Sequence, residues 1–465
     1  MDFNFFKDKK ITVLGLGLHG GGVGIVKFLS AHGARIIATD LKTKEQLASS
    51  LEKLKGLKNV EYVLGQHRNE DFVKTDMVIK NPSVPWDSPH VKLALQNKIP
   101  VEMDSSIFFK LCKNPIIGIT GTKGKTTISA LIFEILKLAG KNPVKVGSGQ
   151  ISVLDKLDIL KKDSVVVFEL SSWRLSALKK EKASPHIAVI TNFLRDHQNY
   201  YKTMEEYLTD KRSIFLFQKP KDWLIINDDD EKLKELYPEV KSQILKFSMF
   251  PRKDGSSVFV ENEAVYINDG IDIKKVMDIK EIKIPGKHNI RNVMAAIGAT
   301  FAFGVKIEDI KKAIMNFSGV AHRLELVRDF KGVKYYNDTT ATIPDAAIAS
   351  LECFRDLIVL IAGGTDKKLE FSNFGKEIAQ KAKKVILFKG SATEKILPEI
   401  KKNDSENKFG EIPVVDSMEK AVELASQISK EGDIVLLSPG AASFGLFLNE
   451  FDRGDKFREA VKNLK

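Results

Sequence analysis

Ile117-Gly-Ile-Thr-Gly-Thr-Lys-Gly-Lys-Thr-Thr127 joins an apolar strand to the start of a helix through a loop that carries Gly121 and Gly124. Glycines there let successive backbone N–H groups turn inward toward an anion, Lys125 adds a mobile positive charge, and Thr126 offers a hydroxyl to Mg²⁺. The expected ligand is a nucleoside triphosphate, cradled by Gly121, Thr122, Lys123, Gly124, Lys125, Thr126 and Thr127. The loop is a variant of the general phosphate-loop pattern, because Ile119 stands where that pattern has its first glycine.

The whole chain reads as an α/β protein of three domains. Residues 1–110 form a Rossmann-like block, 111–318 a central parallel sheet of P-loop ATPase type, and 319–465 a second Rossmann-like block. In the first block the strand Lys10-Ile-Thr-Val-Leu runs into Gly15-Leu-Gly17-Leu-His19-Gly20, and Arg35-Ile-Ile-Ala-Thr-Asp40 ends on an acid at the distance a dinucleotide fingerprint requires. The glycines permit close approach to any diphosphate, and Asp40 can accept from a ribose hydroxyl or a base N–H. A nicotinamide-dependent oxidoreductase is therefore one open reading of this block. Asn81, in a Pro-punctuated loop after the strand that begins at Asp76, falls at the same sheet edge.

In the second block the apolar run Ser164-Val-Val-Val-Phe delivers Glu169 at a strand end, where an acid suits Mg²⁺. Ligands of open α/β sheets gather at those ends, so Glu169 and the phosphate loop can meet. His197 follows the strand that begins at His186, and Lys211 lies on the helix after it. In the third block the loops Asn337–Thr342, 363–368 and 438–444 all fall at expected strand ends, where one cleft could collect them.

The 465 residues, 43% hydrophobic and 29% charged, are ordinary soluble-globular usage and too many for one core. No stretch reaches the roughly 18 apolar residues of a membrane span, and the first residues lack a secretory pattern, so cytoplasmic residence without membrane association is expected. Cys112 and Cys353 match no metal or redox spacing. The formal charge of +12 is spread along the chain, which points to a solvated lysine-rich surface and to no nucleic-acid partner.

Taken together, these motifs resemble the Mur ligases, ATP-dependent amide-forming enzymes that build the peptidoglycan stem peptide. Thr120–Thr127 resembles the family's phosphate loop, Glu169-Leu-Ser-Ser its metal-binding strand end, and Asn192 through His197 its Asn-x-x-x-Asp-His loop. His288-Asn289 with Asn292 is similar to its adenine-side segment, Gly319-Val-Ala-His322-Arg323 to its inter-domain arginine turn, and Asp338 to its ribose-contacting aspartate. Within the family, the short lead before the first strand, the run Asp338–Asp345 and the ending Leu437–Phe457 are most similar to the branch that adds D-glutamate to UDP-N-acetylmuramoyl-L-alanine.

The resemblance implies an acyl-phosphate route and two Mg²⁺ ions. Thr126, Glu169, His197 and a carbamylated Lys211 would be the metal ligands, and Lys125, His197 and Lys211 the catalytic groups. It implies that Gly17, Leu18, His19, Gly20, Asp40 and Asn81 hold the UDP substrate, that Asn289, Asn292, Arg323 and Asp338 contact ATP, and that Thr342, Lys367, Ser443 and Phe444 hold the glutamate. The partners implied are small molecules acting on a monomer. A sister ligase adding L-alanine or a diamino acid is the nearest alternative, although the Asp-Asn-Pro-Arg-like motif usual in diamino-acid ligases is absent.

Overall fold

The computed structural model describes residues 1–18, 20–148, 152–194, 196, 200–354 and 357–465. The described residues form three sheets. The first has five parallel strands in the order Val60–Leu64, Arg35–Asp40, Lys10–Leu14, Met77–Lys80, Val101–Glu102. Order reverses on either side of Lys10–Leu14, which opens a crevice beyond the ends of Lys10–Leu14 and Met77–Lys80, where the Gly15–Gly20 turn and Asn81 emerge.

The second sheet has nine strands. At its centre Ile116–Thr120 lies between Ser164–Glu169 and Ile187–Ile190, parallel to both. These strands are nearly continuous apolar runs because helices cover both faces. At the far edge Ser257–Glu261, Ala264–Asn268 and Ile273–Asp278 form an antiparallel meander. Their alternating polar and apolar residues, with charges on the outer strand, give no parallel-strand signal, and sequence reading passed over them.

These two sheets belong to one compact unit, Met1–Ile279 with Arg291–Ile314. The helix Asp104–Leu111 packs there on the helix Ser172–Glu181. Between them Arg174 is ion-paired with Asp104 at 3.0 Å, and both are buried.

The second unit comprises Lys280–Ile290 and Met315–Lys465. Its six-stranded sheet runs Glu325–Phe330, Val333–Asn337, Ile434–Leu437, Ile358–Gly363, Ala382–Phe388, Val414–Val415, parallel except for the first pair. Apolar residues on both sheet faces, such as Leu360 and Leu436 on one and Ile361 and Val435 on the other, form two cores beneath the flanking helices.

Candidate active site

The phosphate-loop helix, Lys125–Leu138, starts from Gly124 at φ 90°, a residue with no side chain to cap its first turn. The leading amides of a helix suit an anion, and the helix dipole favours one there. Glycine is required at two positions. A Cβ on Gly121 (φ 140°) would stand 1.8 Å from Thr191 Oγ1, and one on Gly124 would stand 2.4 Å from Asn292 Oδ1. The segment after Ile187–Ile190 braces the loop: Lys123 N–H donates to Asn192 Oδ1 at 2.9 Å, and Leu194 N–H donates to Thr122 Oγ1 at 3.0 Å. Lys125 Nζ donates to the carbonyls of Gly121 (2.9 Å) and Thr122 (3.1 Å), which folds the ammonium over the cradle.

Strand register puts Glu169 beside Ile119. Thr126 Oγ1 donates to Glu169 Oε1 at 3.1 Å, whereas the buried Oε2 has no hydrogen-bond partner among the described residues. A carboxylate oxygen left without a donor in a shielded place is costly unless a cation completes it, and a hydroxyl beside a carboxylate is an oxygen donor set that suits Mg²⁺.

Lys211, on the helix Met204–Arg212, is only 2% exposed. Its ammonium lies 4.4 Å from the centre of the Tyr207 ring, and the Tyr207 hydroxyl is 3.4 Å from Thr122 Oγ1. Burial first, then the positive charge of Lys125, holds the Lys211 pKa well below the usual lysine range, with Asp196 opposing. Both effects favour the neutral form of this amine more than in an exposed lysine. His19 and His197 lie outside the described residues.

At the nucleotide-fold edge, Asp40 is buried and accepts from Gly17 N–H and Lys42 N–H, each at 2.9 Å. The carboxylate therefore shapes the glycine turn itself. A cavity of about 450 Å³ runs from Gly17, Leu18 and Asn81 to Lys125 and Glu169, with Trp173 in its wall. Both glycine loops open into one crevice. Sequence reading missed Trp173 and the Asp104–Arg174 pair, which also line it. Asn292 stands beside Gly124 in this unit, while Asn289, in the second unit, donates from Nδ2 to Pro285 O at 2.7 Å.

In the second unit three strand-end loops are stitched together. Gly440 N–H donates to Ala341 O, Gly363 N–H to Pro439 O, and Thr365 and Ala442 exchange both backbone bonds. Thr342, Lys367, Ser443 and Phe444 all ride on these loops. Arg453, fully buried, donates to Thr339 O at 2.9 Å and to Ala441 O at 3.3 Å, tying two of the loops from behind. No sequence signal distinguished this arginine from an exposed helix charge. Arg323 is exposed on a turn whose neighbours His322 (φ 66°) and Leu324 (φ 44°) are both left-handed.

Asp338 is buried, and its carboxyl group accepts from Leu324 N–H, Ser350 Oγ and Ser438 Oγ. Burial outweighs these bonds and raises its pKa to about 6. The unfolded chain ionises first as pH rises. Stability from the protonated form is thus fully present below about pH 4 and is lost as pH climbs through about 6, a swing on the order of 3 kcal/mol. Asp338→Asn should remove that swing, so urea midpoints of wild type should fall relative to the variant between pH 4.5 and 7. Parallel curves would reject a buried, proton-holding Asp338.

Three family models match the chain: Mur ligase MurD-like, N-terminal domain, over residues 9–102; Mur ligase middle domain over 119–300; and Mur ligase, glutamate ligase domain, over 322–440. The chain is 40% identical to the UDP-N-acetylmuramoylalanine--D-glutamate ligase of Roseiflexus sp. (strain RS-1), with 98% of each protein covered. It is 39% identical to the protein of the same name from Borreliella afzelii (strain PKo), with 100% of each covered. Among solved structures, a UDP-N-acetylmuramate-alanine ligase from Thermotoga maritima has the same fold at a TM-score of 0.60 and 20% identity, covering 98% of this chain and 100% of that one. A MurF ligase from the same organism, in complex with ADP, reaches 0.57 at 17% identity, with 99% of each covered. Matched from end to end, with its phosphate loop and nucleotide-fold loop facing one crevice, the chain belongs to the Mur ligase family.

Proposed function

We propose that this protein is an ADP-forming ligase that joins the amine of D-glutamate to the carboxylate of UDP-N-acetylmuramoyl-L-alanine, working as a cytoplasmic monomer in peptidoglycan precursor synthesis. One observation carries the reading: Gly17 and Asn81, suited to a nucleotide diphosphate, share a cavity with Lys125, suited to a triphosphate, and Glu169, suited to its Mg²⁺. The full-length similarity to D-glutamate ligases supports the choice of amino acid.

A carboxylate is a poor electrophile because its leaving group would be oxide, so activation must come first. The substrate carboxylate oxygen attacks the γ-phosphorus of ATP, the bond to the β-bridging oxygen breaks, and ADP leaves an acyl phosphate. The glutamate nitrogen, having lost a proton to solvent, then attacks the acyl carbon; phosphate departs with the carbon–oxygen bonding pair, and the second proton released from nitrogen goes to it. Anionic partners converge in the first step, so neutralising charge is the main task. The Gly121–Thr127 amides and the Lys125 ammonium serve the phosphates. Thr126 and Glu169 would hold Mg²⁺, with His197 and a carbamylated Lys211 as the further ligands of a two-ion site; the metal would supply positive charge against the phosphate oxygens. Asn289, Asn292, Arg323 and Asp338 are assigned to the ATP side; for Asp338 this means shaping the loop through Leu324 and the serines. Asp40 likewise acts on the UDP side by holding Gly17 N–H; Leu18, His19 and Gly20 are assigned to that side with it. Thr342, Lys367, Ser443 and Phe444 would receive the glutamate, with Lys367 as a point charge for a carboxylate.

The test is phosphate release from ATP with UDP-N-acetylmuramoyl-L-alanine and a panel of D- and L-amino acids. Release should require the muramoyl nucleotide and be fastest with D-glutamate. Equal rates with L-alanine or a diamino acid would move the assignment to a sister ligase.

A further inference from the structure

Lys80 ends the strand Met77–Lys80 inside the first unit and is fully buried. Neither phosphate chemistry nor the metal site uses it. Its Nζ donates to Val84 O at 2.8 Å, which closes the segment 81–84 from behind. The same atom lies 4.4 Å from the centre of the Trp86 ring, and Lys180 Nζ lies 3.6 Å from that ring. Trp86 Nε1 donates in turn to Ser176 Oγ at 2.8 Å, on the helix Ser172–Glu181 that follows Glu169 and Ser171.

The segment held this way is part of the cavity wall. Asn81, Pro82 and Ser83 line the crevice. Asn81 N–H donates to Leu14 O at 2.8 Å, its Oδ1 accepts from Ser83 N–H and Ser83 Oγ, and Val84 N–H returns to Asn81 O at 3.0 Å. The turn also seats closely on the glycine loop, since a Cβ on Gly15 would stand 2.9 Å from Asn81 Cβ. An exposed Pro-flanked loop would ordinarily sample many conformations. Here a buried cation, a backbone carbonyl and an aromatic face fix its far side.

We propose that Lys80 is a positioning residue for the nucleotide substrate: through Val84 O and the Trp86 ring it holds Asn81–Ser83 in the crevice wall and latches them to the Glu169-side helix. This rests on the proposed ligase reading and adds to it the element that shapes the diphosphate end of the site. The charged and titratable groups facing the ammonium are Asp104, Lys180 and Asp210, from three helices. Burial, reinforced by Lys180 and opposed by the two acids, brings the Lys80 pKa down to about 7. Above that pH the amine still donates to Val84 O but no longer attracts the Trp86 face, so the latch slackens as pH rises.

The experiment is calorimetric titration of the full-length protein with UDP-N-acetylmuramoyl-L-alanine and, separately, with a non-hydrolysable ATP analogue, at pH 6 and pH 8.5. Lys80→Met keeps length and burial without charge and should weaken muramoyl-nucleotide binding about tenfold or more at pH 6, with the ATP analogue bound as by wild type. Trp86→Phe keeps a ring but loses the Ser176 bond and should fall between. Wild-type affinity for the muramoyl nucleotide should drop from pH 6 to 8.5 by several-fold more than that of Lys80→Met, a difference that a purely structural lysine does not produce. Equal affinities of wild type and Lys80→Met, or parallel pH dependences, overturn the positioning role while leaving the ligase reading intact. A wild type that binds no muramoyl nucleotide overturns both.

Discussion

Lys211→Ala is expected to lower turnover by about a hundred- to a thousandfold, the scale of losing one preorganised electrostatic group, with formate or acetate restoring part of the loss. The reason is the state of the amine. Lys211 is 2% exposed, and burial together with the nearby Lys125 charge disfavours its ammonium form. A neutral buried amine can add CO₂: the nitrogen–carbon bond forms, a proton leaves, and an anionic carbamate remains. That change supplies oxygen donors and a negative charge where Lys125 would otherwise face another amine. A short carboxylate diffusing into the space vacated by the side chain offers the same oxygens. Lys211→Arg, permanently charged, should show neither activity nor rescue. Phosphate-release rates in bicarbonate-free and bicarbonate-supplemented buffer check the idea. Activity independent of bicarbonate, with no rescue of the alanine variant, would sink it.

Lys211 also marks where sequence reading stops. Helical spacing alone treats a lysine in Tyr-Leu-Thr-Asp-Lys-Arg as solvated surface, and only the family resemblance singled it out; burial is set by what packs over the helix, which spacing does not encode. The phosphate loop was legible because glycines at fixed offsets between an apolar strand and a helix have few other uses. Glu169 was legible because an acid ending an apolar run must face a sheet edge.

Asp40 and Asp338 were legible only in part. Strand pattern put each carboxylate at a sheet edge but could not say which protein donors face its oxygens, Gly17 and Lys42 for one and Leu324, Ser350 and Ser438 for the other. Arg453 was hidden for a different reason. Gly454 lets its helix approach so closely that a Cβ there would stand 2.3 Å from His322 Nδ1, and this approach buries the neighbouring guanidinium. The Lys80–Trp86–Ser176 latch depends on a bond between residues 90 positions apart in the chain, beyond any local periodicity.

Glu169→Gln separates stability from chemistry. Glu169 Oε1 accepts from Thr126, while Oε2 is buried with no hydrogen-bond partner among the described residues. Leaving such a group unsatisfied costs about 1–3 kcal/mol, more when it is charged. Glutamine retains the Thr126 bond and the volume but removes the charge, so the metal-free variant should be as stable as wild type or more so. Its catalytic loss should be large, on the order of a hundred- to a thousandfold in turnover, because an amide oxygen is a weak substitute for a carboxylate beside a divalent ion. Two measurements separate these effects. Thermal midpoints in EDTA should be equal or higher for the variant, whereas Mg²⁺ with a non-hydrolysable ATP analogue should raise the wild-type midpoint and leave the variant's nearly unmoved. If the variant melts well below wild type in EDTA, Glu169 is a structural carboxylate; if it keeps the Mg²⁺-dependent shift and its turnover, the cation is held elsewhere.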